Sequence, residues 1–165
     1  MPLNPHSSLT RLFNAPVRPG VLTWIGVRPE RRSTMQPVTA ATLDPGTGIE
    51  GDHYGRDAGK RQVTIIQIES LAAIASHLGR GTAAPEILRR NLVVRGINLL
   101  ALKGRSFRIG NVVLEMTGEC HPCSRLEETL GDGGYNATRG FGGITARVVT
   151  SGRICLGDTV ARIDD

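Results

Sequence analysis

Glycine and proline punctuate this chain from end to end, with 21 Gly and 9 Pro spread through 165 residues rather than gathered in one tract. Spread this way, breakers keep every element short and favour turns over disorder. Between them lie runs at residues 21–28 (VLTWIGVR), 38–43, 62–67 (QVTIIQ), 91–95, 112–117, 144–150, 154–156 and 159–163. Their β-branched and alternating character reads as short strands. One segment, 69–78, reads clearly as helix. There Leu71, Ile74, Ala75 and Leu78 recur at helical spacing, and Gly79 stands ready to end it. Shorter helices are expected at 85–90, opened by Pro85, and at 124–130. Most links between strands are too short for a helical crossover. The expectation is a mainly β chain in a closed or part-closed, mostly antiparallel barrel with a few short helices.

The length suits one domain, residues 21–165, preceded by a loose N-terminal arm at 1–20. The arm lacks the apolar h-region of a signal peptide. No apolar run approaches the roughly 18 residues of a membrane span, so no membrane is expected as a partner. The net charge is +5, and the basic residues are almost all Arg. Planar guanidinium forks suit phosphate and carboxylate partners. Nucleic acid is not expected, because aromatics are only 4% and a stacking platform is poorly supplied. The three cysteines are Cys120, Cys123 and Cys155. An odd count with one close pair is unlike a secreted disulfide framework, and a cytoplasmic protein with reduced thiols is the expectation.

Three constellations can carry chemistry. The first is Cys120-His121-Pro122-Cys123. It admits a zinc knuckle completed by Cys155 and a histidine, a thioredoxin-like dithiol, two ordinary buried cysteines, or one working thiolate at Cys123. In the last reading Cys123 opens the 124–130 helix beside Arg125, and its thiolate is a soft ligand for a redox metal. The second constellation is Arg89-Arg90-Asn91, between a short helix and a strand. It is either a phosphate-holding corner or a solvated helix end. The third is Gly51-Asp52-His53-Tyr54-Gly55, within a stretch holding four glycines in ten residues from Gly46. It is either a ligand-facing turn or an Asp bonded to nearby N–H groups. A further glycine-rich stretch, 131–143, reads as a mobile or ligand-facing loop. No Walker pattern or GxSxG elbow is present.

In order and spacing these pieces resemble the MOSC domain family, named for the C-terminal domain of molybdenum cofactor sulfurase. The matching stretches are Gly48-Ile49-Glu50-Gly51-Asp52-His53-Tyr54-Gly55, Arg61-Gln62-Val63-Thr64, Arg89-Arg90-Asn91-Leu92-Val93-Val94 and Gly96-Ile97-Asn98-Leu99. Leu102-Lys103-Gly104, Phe107-Arg108-Ile109-Gly110, Pro122-Cys123 and Gly143-Ile144-Thr145-Ala146-Arg147-Val148 follow. Ser151-Gly152-Arg153-Ile154 and Gly157-Asp158-Thr159-Val160 close the set. Together they span about residues 20 to 163, nearly the whole chain.

The resemblance implies a barrel of the MOSC type and a molybdenum-pterin cofactor. It places the family's functional cysteine on Cys123, as metal ligand or sulfur carrier, and leaves Cys120 as a bystander or regulatory partner. It places cofactor-holding roles on Arg89 and Asn91, with Gly51 and Asp52 in the adjoining turn. The short stand-alone bacterial members it most resembles imply an oxidoreductase acting on N-hydroxylated small molecules. Such a reductase takes electrons from a flavin or iron–sulfur protein. A sulfur-carrier or cofactor-delivery module, with a persulfide on Cys123, is the alternative.

Overall fold

The computed structural model describes residues 4–53 and 59–164. Tyr54 and Gly55, the end of the third constellation, lie outside them. A short helix α1 (Ser8–Phe13) precedes strands β1 (Gly20–Val27), β2 (Gln36–Val38), β3 (Ala40–Asp44), β4 (Gly48–Ile49) and β5 (Val63–Gln67). Helices α2 (Ile68–His77) and α3 (Pro85–Leu88) lead to β6 (Leu92–Arg95). After a 3-10 turn (Leu99–Leu102) come β7 (Ser106–Ile109), β8 (Val112–Glu119), α4 (Ser124–Leu130) and α5 (Gly134–Thr138). The chain ends with β9 (Ile144–Val148), β10 (Gly152–Cys155) and β11 (Thr159–Arg162).

Seven strands close into a barrel in the order β11-β7-β8-β9-β5-β6-β1, sealed where Gly20 and Val21 of β1 meet Val160 and Thr159 of β11. The β2 strand extends the sheet along the far end of β1, and β10, β3 and β4 form a separate small sheet. Register slips between Leu22 and Trp24 in β1, and between Met116 and Gly118 in β8, supply the bulges that help a sheet bend round on itself. The mainly β, barrel-forming expectation holds.

Alternation along β7 and β8 turns Phe107, Ile109, Val112, Leu114 and Met116 into the barrel. β5 and β6 are apolar on both faces for a different reason. Ile65, Leu92 and Val94 fill the barrel, while Ile66 and Val93 point outward into a second core. That core also takes Leu71 and Ile74 of α2, Leu88 of α3, and Leu126 and Leu130 of α4. Each such buried side chain contributes about 1.5–3 kcal/mol relative to exposure. The second core therefore fixes α3 and α4, which flank the candidate site, against the barrel wall.

Pairing among the described residues is mostly antiparallel, as expected, with β5 and β6 the one parallel pair, joined by a crossover through α2 and α3. Two expectations need correction. Residues 38–43 do not form one strand, because pairing passes from β2 to β3 across Thr39. The stretch 131–143 is not all loop. It contains α5, whose entry is built by Glu127 of α4. The Glu127 carboxylate accepts from the backbone N–H groups of Tyr135 at 2.6 Å and Gly133 at 2.8 Å. These two donors, Tyr135 first, hold its carboxyl below the usual carboxylate range. A depressed folded pKa contributes stability above the unfolded value and loses it as pH falls through the folded one. Glu127→Gln is therefore expected to lower the melting temperature at neutral pH. The gap to the wild type should close on acidification, and thermal melts of both proteins across that range check it.

The N-terminal arm carries α1 and is tied to the barrel. Arg162 of β11 donates to the carbonyls of Phe13, Asn14 and Ala15, and Arg105 bonds the Asn14 side chain. Among the described residues, no helix is long and apolar enough to cross a membrane.

Candidate functional site

Asn91 sits where the 85–90 helix region gives way to β6, and its side chain is a junction. Its Oδ1 accepts from the Thr64 backbone N–H at 3.1 Å and the Thr64 hydroxyl at 3.0 Å. Its Nδ2 donates to the Gly26 carbonyl and to Asp52 Oδ1, each at 3.2 Å. An amide offers two donors and two acceptor lone pairs, so all four are taken. Asn91 thereby fastens β1, β5 and the turn after β4 to the start of β6. Asp52 is buried behind it, also accepting from the Arg28 backbone N–H at 2.7 Å, with the Arg28 guanidinium Nε at 3.7 Å.

On the open side of this junction lies a cleft of about 400 Å³ between α3, α4 and the end of β8. Arg28, Arg61, Arg89, Arg90 and Arg125 line it, together with Thr64, His121, Cys120 and Cys123. Among the described residues, no carboxylate does. Five guanidinium groups, with the Asp52 carboxylate behind Arg28 offsetting only one of them, make the cleft attractive to an anion.

The arginines are set in different ways. Arg89 takes a left-handed conformation, φ 58 and ψ 36, as α3 ends. Few non-glycine residues adopt it, so the chain holds Arg89 there against a local cost of about 1 kcal/mol. It also donates weakly to the Ser33 carbonyl at 3.4 Å. Arg90, only 9% exposed, donates from Nε to the Gly142 carbonyl and from Nη1 to the Leu88 carbonyl, both at 2.7 Å. Part of its fork is thus spent on holding the glycine-rich segment before β9 against the cleft. Arg61 and Arg125 are exposed at the rim.

The two cysteines of the CxxC pair differ sharply. Cys123 is exposed and occupies the N-cap position of α4, where its side chain makes no capping hydrogen bond. Cys120 is 5% exposed, and its N–H donates to the Gly143 carbonyl at 2.8 Å. Burial pushes the Cys120 thiol pKa up, and the charges of Arg90 and Arg61 only partly offset this. Cys155 lies on β10 in the small sheet and does not line the cleft. The described residues hold no cluster of three or more His, Cys, Asp or Glu placed to bind a metal. A zinc knuckle using Cys155 therefore has no geometry here.

The structure thus gathers Arg89, Asn91 and Cys123, far apart in sequence, around one cleft. It places Asp52 behind that cleft as a buried support and Gly51 on an exposed turn with φ 84, outside the lining. Reasoning from single residues assigned no role to Arg28 or Arg61. Arg28 carried no signal beyond its place at the end of a strand, and Arg61 appeared only as the first residue of a stretch matching the family. A larger groove, about 660 Å³, lies between the N-terminal arm and the 3-10 turn. It contains neither thiol of the pair, and its Arg162 is already bonded to arm carbonyls.

The family model for the MOSC domain matches residues 49–161. The chain belongs to the MOSC domain family. The barrel agrees with solved structures. The YuaD protein of Bacillus subtilis superposes with a TM-score of 0.76 at 21% identity, over 87% of this chain and 95% of that one. YiiM of Geobacillus stearothermophilus gives 0.69 at 16% identity, over 87% and 75%. YiiM of Escherichia coli gives 0.64 at 16%, over 91% and 70%. At these identities the likeness is one of fold. No curated protein matches the chain. A MOSC barrel in place of an α/β unit also removes the thioredoxin-like reading of the CxxC pair.

Proposed function

We propose that this MOSC protein is a molybdenum-cofactor-binding oxidoreductase that reduces N-hydroxylated compounds. The observation that carries the reading is the union, in one cleft, of an exposed thiol with five arginines. The donor set fits such a cofactor. Guanidinium forks at Arg89, Arg61 and Arg125 suit its phosphate, and a thiolate at Cys123 is a soft ligand suited to molybdenum. When bound, the group would supply two-electron reduction of the substrate's N–O bond.

The chain's own residues have other tasks. Cys123 fixes the metal at the mouth of α4. Asn91 holds the cleft floor through Thr64, Gly26 and Asp52, and so acts as a positioning residue. Arg90 fixes the wall by its bond to Gly142. His121 lines the same cleft as Cys123. A flavin or iron–sulfur protein is the proposed electron donor. The second reading is a sulfur carrier with a persulfide on Cys123, and it is favoured by the exposure of that thiol alone.

Reduction of benzamidoxime to benzamidine by the cofactor-loaded protein, with chemically reduced viologen as donor, tests the first reading. Support around a metal ligand is typically worth about 10–100-fold in affinity or activity, so Cys123→Ser is expected to cost about 100-fold or more. A loaded protein that forms no benzamidine contradicts the reductase reading.

A further inference from the structure

The proposed chemistry leaves Cys120 without a task, yet it lines the same cleft as Cys123, three residues away. We propose that Cys120 is the resolving thiol of a reversible, peroxide-sensitive modification site, which captures oxidised Cys123 as an intramolecular disulfide and closes the thiol end of the cleft.

The two sites differ in the ways such a pair requires. Cys123 is exposed and open to a small oxidant, whereas Cys120 is buried and protected from direct attack. Their backbones also differ in freedom. Cys120 is pinned by its N–H bond to the Gly143 carbonyl, and its own carbonyl lies against the α-carbon of Gly142. Gly142 is in turn held by Arg90. The segment 121–123 has no such hold. Pro122 lacks an N–H, and among the described residues neither His121 nor Cys123 donates a backbone hydrogen bond. The first bond on that side is the Cys123 carbonyl accepting from Leu126. The exposed sulfur therefore rides on the movable side and the buried one on the fixed side. Cys155, on β10, is outside the cleft and takes no part.

The steps balance with hydrogen peroxide as oxidant. The Cys123 thiolate attacks one peroxide oxygen and forms an S–O bond. The O–O bond breaks, and the leaving hydroxide takes a proton to become water. The Cys120 sulfur then attacks the sulfenic sulfur, so an S–S bond forms and the S–O bond breaks. Hydroxide leaves with the Cys120 proton as a second water. Two thiols and one peroxide thus give one disulfide and two waters, and a thiol reductant reverses the change. This chemistry needs no metal. Only its consequence, that a disulfide-bound Cys123 can no longer ligate molybdenum, rests on the proposed reductase reading.

The test uses the full chain carrying Cys155→Ser, treated with hydrogen peroxide, alkylated and digested with trypsin. No Lys or Arg lies between Arg108 and Arg125, so both cysteines fall on one peptide. The expected product is that peptide lighter by two hydrogen atoms and unalkylated at both sulfurs, restored by dithiothreitol. With Cys120→Ser added, Cys123 should instead pass to sulfinic acid that dithiothreitol does not restore. Sulfinic acid at Cys123 with Cys120 still free, disulfides between chains, or two unreacted thiols would each overturn the proposal. In cofactor-loaded protein the same treatment should release molybdenum in step with disulfide formation. Disulfide without release would count against Cys123 as ligand and leave the thiol chemistry standing.

Discussion

Replacement of Asn91 by Ala is expected to destabilise the protein by about 3–5 kcal/mol, at the upper end of what single substitutions do. The side chain is 1% exposed and makes four hydrogen bonds to three separate segments. Truncation removes those bonds and leaves the Thr64 N–H, the Gly26 carbonyl and the Asp52 carboxylate short of a partner in a place water reaches poorly. Asn91→Asp should be at least as damaging. It keeps the acceptors facing Thr64 but turns a second carboxylate towards Asp52 and the Gly26 carbonyl. For a chain of this size the Ala variant should melt about 10 °C below the wild type. Urea unfolding followed by circular dichroism checks the figure. A loss under about 1 kcal/mol would mean that Asn91 is not the structural junction and that its amide is free to serve a ligand.

Gly142→Ala should cost about 3 kcal/mol and distort the cleft, for a reason that involves space rather than backbone angle. A Cβ at Gly142 would lie 3.2 Å from the Cys120 carbonyl carbon and closer still to its oxygen. It would also stand 3.5 Å from the Arg90 guanidinium. The nearest obstacles are backbone atoms, and the Cys120 N–H bond to Gly143 prevents them from moving aside. Relief has to come from shifting Cys120 or breaking the Arg90–Gly142 bond, and either opens the cleft wall. Gly51→Ala is the control. Gly51 also has an unusual conformation, φ 84, but an added Cβ meets nothing within 4 Å among the described residues. Only the conformational cost of about 1 kcal/mol is expected there. Comparable losses in the two variants, measured by thermal and urea unfolding, would contradict the tight wall described for Cys120.

The parts legible in the sequence were those set by local pattern. The helical spacing of Leu71, Ile74 and Ala75 marked α2, whose buried face is those three residues. The helix read at 124–130 is α4. The apolar run 62–67 marked β5, although nothing in it distinguished Ile65, inside the barrel, from Ile66, under the helices. Parallel pairing of β5 with β6 was not drawn from the sequence, although its parts, a strand, the α2 helix and a second strand, were each legible and together are long enough for a crossover. Nor was α5, since Gly133 and Gly134 read as breakers and its entry depends on Glu127, six and eight residues from the N–H groups it holds. At the site, ordered motifs brought Arg89, Asn91 and Cys123 into one hypothesis. They did not separate groups that face the cleft from groups that build it. That distinction depends on long-range bonds, such as those from Asn91 to residues 26, 52 and 64, which no local spacing encodes.

The arginine-lined cleft ending at Cys123 is proposed to hold a molybdenum cofactor. Molybdenum content per chain tests it most directly, measured on wild type, Cys123→Ser and Cys120→Ser purified under reducing conditions from a molybdenum-replete host. The account predicts molybdenum in the wild type, its near-complete loss in Cys123→Ser, and retention of most of it in Cys120→Ser. Equal loss in the two variants, or zinc in place of molybdenum in the wild type, would contradict it.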